Sequence, residues 1–219
     1  MRQMQIAITI ALFLVASSLP DARADEVLDA RVQAFLDSHT RQWRDMNVPP
    51  ADGRILHELI VERGFTQAVE IGTSTGHSTI WIAWALAKTG GKLTTIEIDR
   101  RRYEEAKQNI AAAGLSEYVD FTLGDAHELV PALDGPFDYV FSDADKDWYI
   151  NYFDALYPKL TADACFTAHN VSAPGARGGD RRRRSSGQEY FEHVSRIEDM
   201  ESYVHPESRS GVAISCKVQ

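Results

Sequence analysis

The sequence predicts a single α/β domain built on a mostly parallel β-sheet. After Gly64, short apolar stretches alternate with stretches whose apolar residues recur at helical spacing. Strands that alternate with helices are joined by crossovers, which make the strands parallel and place helices on both faces of the sheet. The last two apolar stretches are separated by a turn near residues 206–211 that is too short for a crossover, so the last strand should be antiparallel.

The individual elements follow from the same periodicities. Residues 26–45 and 51–63 carry apolar side chains at helical spacing, which predicts two helices ahead of the sheet. The other predicted helices cover residues 77–88, 100–113, 147–157 and 187–199, and the predicted strands cover residues 68–71, 93–98, 119–123, 137–141, 164–168, 201–204 and 212–218. The expected sheet therefore has seven strands.

The first 24 residues have the pattern of a secretory signal peptide. One arginine precedes an apolar run at residues 6–16, and Ala22-Arg23-Ala24 matches an A-x-A cleavage site. The run of about 11 residues is shorter than the about 20 that a membrane-spanning helix needs, so an uncleaved anchor is the less favoured alternative. We therefore expect an exported protein, periplasmic or secreted, in which residues 25–219 form one domain without stable membrane insertion.

Charge and composition narrow the class of partner. The formal net charge is -9, and no basic stripe interleaved with aromatic residues is present. Both observations disfavour nucleic acid and an anionic membrane surface, and they favour a small molecule as the substrate. Residues 174–187 are rich in glycine, serine and arginine, which predicts a solvated loop.

The two cysteines, Cys165 and Cys216, each lie in an apolar stretch of strand type. Two buried thiols that pack as small hydrophobic groups are the favoured interpretation, because a bridge between neighbouring strands requires a specific geometry. A disulfide is the alternative, since exported proteins can form one.

The strongest local motif is a glycine-containing turn between a buried strand and a helix. It reads Glu70-Ile71-Gly72-Thr73-Ser74-Thr75-Gly76-His77-Ser78. Its glycines let the backbone turn tightly and approach a ligand closely, and their G-x-x-x-G spacing differs from that of dinucleotide-binding enzymes. Glu97 ends the next strand, where its carboxylate could accept both hydroxyls of a ribose. Turn and carboxylate together predict a nucleoside ligand.

Two polar clusters follow the fourth and fifth strands of the alternating region. The first contains Asp143, Asp145, Lys146 and Asp147, and the second is His169-Asn170. Ligands of open α/β sheets lie at the carboxyl ends of the strands, where both clusters should meet. The acidic cluster predicts a cation or sulfonium site with a positioned base, and an exposed helix cap is its alternative.

In this order and spacing, the motifs resemble those of S-adenosylmethionine-dependent O-methyltransferases typified by catechol and caffeoyl-CoA O-methyltransferases. The resemblance covers roughly residues 42–218. It rests on Met46-Asn47-Val48, the glycine turn through Ser78, Thr95-Ile96-Glu97-Ile98, Gly124-Asp125-Ala126, Asp143-Ala144-Asp145-Lys146-Asp147-Trp148-Tyr149 and His169-Asn170. It implies a Rossmann-like methyltransferase fold, S-adenosylmethionine as cofactor and a small catechol-like or phenolic acceptor, and it leaves a homodimer open.

The resemblance also assigns roles to single positions. The implied cofactor-binding residues are Val48, Glu70, Gly72, Thr73, Ser74, Ser78, Glu97, Ala126 and Asp143. Among them, Glu97 would hold the ribose and Ala126 the adenine side. Lys146 is the implied base that takes the proton from the acceptor hydroxyl, and Asp143 and His169 complete the catalytic set. Transfer of the methyl group in line from sulfur to oxygen is dominated by positioning.

One position departs from the family's pattern. Relatives that depend on a divalent cation have an aspartate immediately before the asparagine, where this chain has His169. The candidate metal ligands are therefore Asp143, His169 and Asn170, and an imidazole shifts the preference from magnesium or calcium toward manganese, iron or zinc. Alternatively His169, with a reference pKa of about 6.5, shares or replaces the proton-accepting role of Lys146.

Two other functions stay open at the level of the sequence. Residues 72–76 also fit the G-x-S-x-G nucleophile elbow of α/β-hydrolases, with Ser74 as nucleophile and Asp143 and His169 or His193 as partners. That fold needs several strands before the elbow, whereas the stretch before it is predicted to be mostly helical. The other alternative is a domain that binds S-adenosylmethionine without turnover, because a fold alone does not prove activity.

Overall fold

The computed structural model describes residues 22–43, 45–171 and 181–218. The predicted signal peptide is described only from residue 22, and the predicted loop at residues 174–187 only from residue 181. Helix α1 (Ala22–Ser38) includes the predicted cleavage site in its first turn. Within the described ranges, no helix has the length and apolar character needed to cross a membrane.

Seven strands form one sheet in the part of the chain that the structure describes. They are β1 (Gln67–Ile71), β2 (Lys92–Glu97), β3 (Val119–Leu123), β4 (Phe137–Ser142), β5 (Leu160–Ala168), β6 (Met200–Val204) and β7 (Ala213–Lys217). Their order is β3-β2-β1-β4-β5-β7-β6, and β7 is antiparallel to both of its neighbours whereas the other pairs are parallel. The predicted sheet, with its antiparallel last strand, is confirmed.

Helices cover both faces of this sheet, as predicted. They are α1, α2 (Pro50–Arg63), α3 (His77–Thr89), α4 (Arg100–Ala113), α5 (Ala126–Ala132), α6 (Tyr149–Leu156) and α7 (Arg181–Val194). Only α5 is absent from the sequence predictions, because it is short and contains Pro131, which disfavours a helix interior. It begins after Asp125, whose carboxylate accepts the backbone N–H of His127 at 2.9 Å.

The core consists of two apolar clusters separated by the sheet. One cluster includes side chains of α1 to α4, and the other includes side chains of α5 to α7. On β1, Ala68 belongs to the first cluster and Val69 to the second, so the strand is buried on both faces. Each large apolar side chain that is fully buried stabilises the fold by about 1.5 to 3 kcal/mol. This double burial explains why the strand sequences are almost continuously apolar.

The structure corrects the second half of the predicted loop. Helix α7 begins at Arg181 and continues through Gly187. Arginine is a good helix former, so the Gly/Ser/Arg-rich composition is a poor indicator of a loop at these positions. A Cβ at residue 187 would lie 3.1 Å from the carbonyl oxygen of Asn170, so the glycine lets α7 pack closely against the end of β5.

The favoured interpretation of the cysteines is wrong, because Cys165 and Cys216 form a disulfide. The antiparallel register of β5 and β7 places the two residues directly opposite each other, with their Cα atoms 4.0 Å apart. Directly opposite residues in an antiparallel pair come close enough for their side chains to meet. The sequence shows two apolar strands but does not give their register, which decides whether the sulfur atoms can bond.

Candidate functional site

The glycine turn lies where the strand order of the sheet reverses, between β1 and β4. Gly72 has a φ of 97° and Gly76 a φ of 95°, which only glycine adopts readily. A Cβ on Gly72 would lie 2.8 Å from the carbonyl oxygen of Asp143, at the end of the neighbouring strand. The absence of a side chain therefore lets the two loops pass each other at the edge where ligands bind in open α/β sheets.

A cavity of about 800 Å³ opens at this edge of the sheet. This volume lies within the range of about 300 to 1,000 Å³ that is usual for small-molecule sites. The predicted site residues that line the cavity are Gly72, Ser74, Glu97, Ala126, Asp143, Lys146, His169 and Asn170. Four further predicted residues do not line it, namely Val48, Glu70, Thr73 and Ser78, all of which are buried.

Glu97 is held in the cavity wall by backbone groups of two loops. Its Oε2 accepts the N–H of Ser74 at 2.7 Å, and its Oε1 accepts the N–H of Asp99 at 2.8 Å. A carboxylate oxygen can accept a second hydrogen bond, so both atoms keep capacity for hydroxyl donors. The side chain of Glu97 is thus fixed in one orientation, with acceptor capacity left on both oxygens.

Glu70 lies directly behind the cavity wall and is fully buried. Its Oε2 accepts the hydroxyls of Thr79 and Thr95, each at 2.6 Å. Within the described residues, its Oε1 has no hydrogen bond of ordinary geometry. Burial raises the pKa of this carboxyl to about 7, because the charged form has lost its water and has too few donors in exchange. Glu70 therefore links β1 to Thr79 of α3 and to Thr95 of β2.

Four charged side chains form a row beneath the other half of the cavity, and we call them the charged row. Asp52 Oδ2 contacts His169 Nε2 at 2.9 Å, and His169 Nδ1 contacts Asp143 Oδ2 at 3.1 Å. Lys146 Nζ donates to Asp143 Oδ1 at 2.6 Å. Asp52 and His169 are 1% and 4% exposed, so these contacts are shielded from water. Two carboxylates thus alternate with two basic groups.

The pKa values in the charged row are set by burial and by these contacts. Burial alone would lower the pKa of His169, but the charge and hydrogen bonds of Asp143 and Asp52 raise it to about 9. For Asp143, burial acts to raise the pKa, and the nearby His169 and Lys146 outweigh it, so the pKa falls below its ordinary value. The pKa of Asp52 is lowered in the same way, against burial, mainly by His169.

Lys146 reaches the cavity from the short 3-10 turn Lys146–Trp148, which follows β4. Besides Asp143, its Nζ donates to Tyr149 Oη at 2.7 Å and to the carbonyl of Ala144 at 3.3 Å. Tyr149 Oη in turn donates to the carbonyl of His169 at 3.0 Å. Lys146 is therefore fixed between the ends of β4 and β5.

The predicted metal ligands do not fit a divalent ion in this arrangement. An ionised carboxylate only accepts hydrogen bonds, so each ring nitrogen of His169 must donate, and neither keeps a lone pair for a metal or for a proton. Each oxygen of Asp143 faces a positively charged group, Lys146 or His169, which would repel a divalent ion at that place. Among the residues that the structure describes, no group of three or more His, Cys, Asp or Glu side chains could hold a metal ion. Asn170 lines the cavity nearby.

The hydrolase hypothesis is wrong. Ser74 Oγ donates to the carbonyl of Asp45 at 2.6 Å, and both ring nitrogens of His169 are engaged by carboxylates. His193 contacts Asp154 instead, at 2.8 Å. Because no histidine accepts the proton of the Ser74 hydroxyl, the residues proposed for a catalytic triad do not form one.

Residues 45–49, which we call the cover segment, cover the glycine turn; the sequence motif Met46-Asn47-Val48 lies within it, but Asp45 is absent from the predicted site. The Asp45 carboxylate accepts from Arg101 at 2.8 Å and from Arg102 at 2.9 Å, and these guanidinium groups lower its pKa to about 2. Asn47 exchanges two hydrogen bonds with Thr75. Both arginines open α4 directly after Glu97 and Asp99, but no local pattern links them to residue 45.

Asp52 and Asp125 are also absent from the predicted site. Asp125 lines the cavity beside Ala126, and only its place in the motif Gly124-Asp125-Ala126 could have indicated it. Asp52 is the third residue of α2 and reads as an ordinary first-turn acid. Its contact with His169 joins residues 117 positions apart, which no pattern within a single sequence reveals.

The sheet and its cavity define a Rossmann-like domain of the methyltransferase type. A family model described as O-methyltransferase matches residues 22–175, and the chain belongs to this family. It is similar to a catechol O-methyltransferase of Niastella koreensis, with 40% identity over 134 residues, 59% of this chain and 60% of that protein. It is also similar to caffeoyl-CoA O-methyltransferase 1 of Zea mays, with 37% identity over 52% of this chain and 46% of that protein. The match thus spans about half of the length of these relatives.

Solved structures extend the likeness over nearly the whole chain. An O-methyltransferase from Bacillus cereus, in complex with SAH (S-adenosylhomocysteine), has a TM-score of 0.68 and 25% identity, covering 93% of this chain and 94% of that one. The O-methyltransferase TomG from Streptomyces achromogenes, in complex with SAM (S-adenosylmethionine), has a TM-score of 0.69 and 25% identity, covering 92% and 100%. These likenesses confirm the predicted fold.

Proposed function

We propose that this chain transfers a methyl group from S-adenosylmethionine to a hydroxyl of a small phenolic or catechol-like acceptor. The observation that carries the proposal is that Glu97, Asp143 and Lys146 line the same cavity. The names of the relatives and the bound SAM and SAH of the structural neighbours support it. Cofactor, reaction and acceptor class come to this chain from these likenesses and from the chemistry of the site.

The residues present fit the cofactor. S-adenosylmethionine, when bound, supplies an activated methyl group on a positively charged sulfur. Glu97 would accept the ribose hydroxyls, the backbone at Gly72 would allow close approach, and Ala126 at the start of α5 would lie on the adenine side. The buried carboxyl of Glu70 lies directly before the glycine turn in the sequence, where it would favour the positively charged amino group of the methionine part by charge rather than by direct contact.

Lys146 and Asp143 would act on the acceptor. The acceptor hydroxyl loses its proton to Lys146 Nζ as its oxygen bonds to the methyl carbon, and the bond between that carbon and sulfur breaks to leave a neutral thioether. The contacts of Nζ with Asp143, Tyr149 and Ala144 suit the ammonium, so Nζ gives one proton to solvent before it accepts the proton of the acceptor hydroxyl, and these contacts stabilise the ammonium that forms again. These buried contacts also position Nζ, and positioning is the main requirement of such a step.

Binding and turnover can be tested separately. Isothermal titration should show uptake of S-adenosylhomocysteine, and Glu97→Ala should weaken it about 10- to 100-fold, because hydrogen bonds to a charged group are lost. Lys146→Met should keep that affinity and lower kcat for a phenolic acceptor by about 10²- to 10⁴-fold. Lys107→Met, whose lysine lies over the Tyr103 ring outside the cavity, is the control. Failure of the wild type to bind the product would contradict the proposal, and binding without transfer to any phenol would indicate a module without turnover.

We also propose that the chain is exported. The apolar run, the A-x-A site and the Cys165–Cys216 disulfide support this, since disulfides persist in oxidising compartments. Fractionation of cells that express the full chain, with mass spectrometry of its amino terminus, tests it. A mature protein that begins at Asp25 outside the cytoplasm is expected, and an intact amino terminus in the cytoplasm would contradict the proposal.

A further inference from the structure

The charged row consists of four side chains in direct contact. Asp52, His169, Asp143 and Lys146 follow one another with contacts of 2.9, 3.1 and 2.6 Å. Two negative and two positive groups alternate, so the row is balanced in charge without any further ion. Asp52 comes from α2, on a different side of the site from the strand ends that carry the other three groups.

The atoms of the charged row that could bind a metal ion already make hydrogen bonds within the row. His169 presents N–H groups rather than lone pairs to Asp52 and Asp143. Asp143 has one oxygen on His169 and the other on Lys146. A divalent ion would have to displace these buried contacts, and it would add two positive charges where the existing charges already cancel.

We infer that Asp52 and His169 take the place of a divalent cation, so that methyl transfer by this chain needs no metal. Asp52 is a positioning residue in this inference, because it does not line the cavity and acts by holding His169 against Asp143. His169 in turn fixes the carboxylate that binds Lys146. The inference rests on the proposed function, but its first test does not depend on turnover.

Metal binding is measured directly by titrating the holoprotein, loaded with S-adenosylhomocysteine, with Mn²⁺ and following the free ion by electron paramagnetic resonance. The wild type should leave Mn²⁺ free, whereas His169→Asp, which restores a hard oxygen ligand beside Asp143 and Asn170, should bind it at least about tenfold more tightly. His193→Asp, the same substitution outside the cavity, should behave as the wild type. Mn²⁺ binding by the wild type that is as tight as binding by His169→Asp would overturn the inference, even where the product binds normally.

Activity supplies the second test. Wild-type methyl transfer should survive exhaustive chelation unchanged, and loss of activity that Mn²⁺ or Mg²⁺ restores would overturn the inference. Absence of S-adenosylhomocysteine binding would instead remove the proposed function, so the two failures are distinguishable.

The role of Asp52 is tested by its own variants. Asp52→Ala should lower kcat about 10- to 100-fold with little change in the KM for S-adenosylmethionine, because His169 loses its orientation while the cofactor wall stays intact. Asp52→Asn keeps an acceptor oxygen of the same size, so it should fold and show a smaller loss of kcat. A purely structural role would change kcat, KM and melting temperature together, and that result, or unchanged kcat in both variants, would overturn this assignment.

Discussion

Replacing Glu70 by glutamine should change how the stability of the protein depends on pH. The carboxyl is fully buried, and burial raises its pKa from the ordinary 4.5 to about 7. Glutamine has nearly the same shape and an oxygen that can accept the hydroxyls of Thr79 and Thr95 as Oε2 does. The substitution therefore removes the ionisation and keeps most of the packing.

The sign and size of the effect follow from the raised pKa. The unfolded chain ionises Glu70 near pH 4.5 and the folded chain only near pH 7, so its stabilising contribution is complete below pH 4.5 and is lost as the pH rises through 7. One pKa unit corresponds to about 1.4 kcal/mol, so the full loss is about 3 kcal/mol. Between pH 5 and pH 8.5, the free energy of unfolding of Glu70→Gln should therefore rise by about 2 to 3 kcal/mol relative to wild type.

Urea unfolding followed by circular dichroism at both pH values measures this difference. Comparing the two proteins at each pH cancels the titration of all other groups. Glu62→Gln, at an exposed position of α2, is the control for removing one negative charge from the surface. If the free energies of unfolding of wild type and Glu70→Gln differ by the same amount at pH 5 and at pH 8.5, the buried site does not favour the protonated carboxyl.

Three further predictions concern the turn, the cover segment and the disulfide. Gly72→Ala should lower the free energy of unfolding by more than the about 1 to 2 kcal/mol that a positive φ costs a residue with a side chain. It should also abolish S-adenosylhomocysteine binding, because the new Cβ would collide with the backbone of Asp143. Gly64→Ala has a similar φ but open space around it, so chemical unfolding should show only the backbone cost. Asp45→Ala should raise the calorimetric Kd for S-adenosylhomocysteine about 2- to 5-fold, since an exposed ion pair is worth little, and an unchanged Kd would mean that the cover segment does not contribute. Replacing Cys165 and Cys216 by alanine should lower stability by about 2 to 4 kcal/mol, because the bridge closes a separation of 51 residues, and an unchanged melting temperature would contradict this.

The parts of the fold that the sequence predicts are those in which the pattern is local. Strand β1 and the helix after it are encoded by a continuous apolar run, two glycines and a helical repeat within residues 67–89. Helix α5 escapes prediction because Pro131 disfavours a helix, and the start of α7 escapes it because its Gly/Ser/Arg composition is typical of a loop. In α7, Gly187 packs closely against the backbone of Asn170, after the end of β5, and composition does not reveal this contact. Local propensity is a weak guide where tertiary contacts override it.

In the site, local patterns place the residues that share a sheet edge, whereas they do not place a residue that comes from a helix distant in the sequence. Glu97, Asp143 and His169 end neighbouring or nearby parallel strands, so the alternation of strands and helices is sufficient to place them around one cavity. Asp52 lies on a helix that precedes the sheet, and its distance to His169 depends on how α2 crosses the end of the sheet, which no periodicity encodes.

Asp52 also determines the chemical meaning of His169. With only Asp143 beside it, a histidine at this position could keep one nitrogen free, and the hypotheses of a metal ligand and of a second base would both be reasonable. A buried carboxylate beside the opposite ring nitrogen can only accept, so that nitrogen carries a proton and the ring donates on both sides. A single long-range contact thus decides between a metal site and a row of paired charges, and the Mn²⁺ titration of His169→Asp is the measurement that separates them.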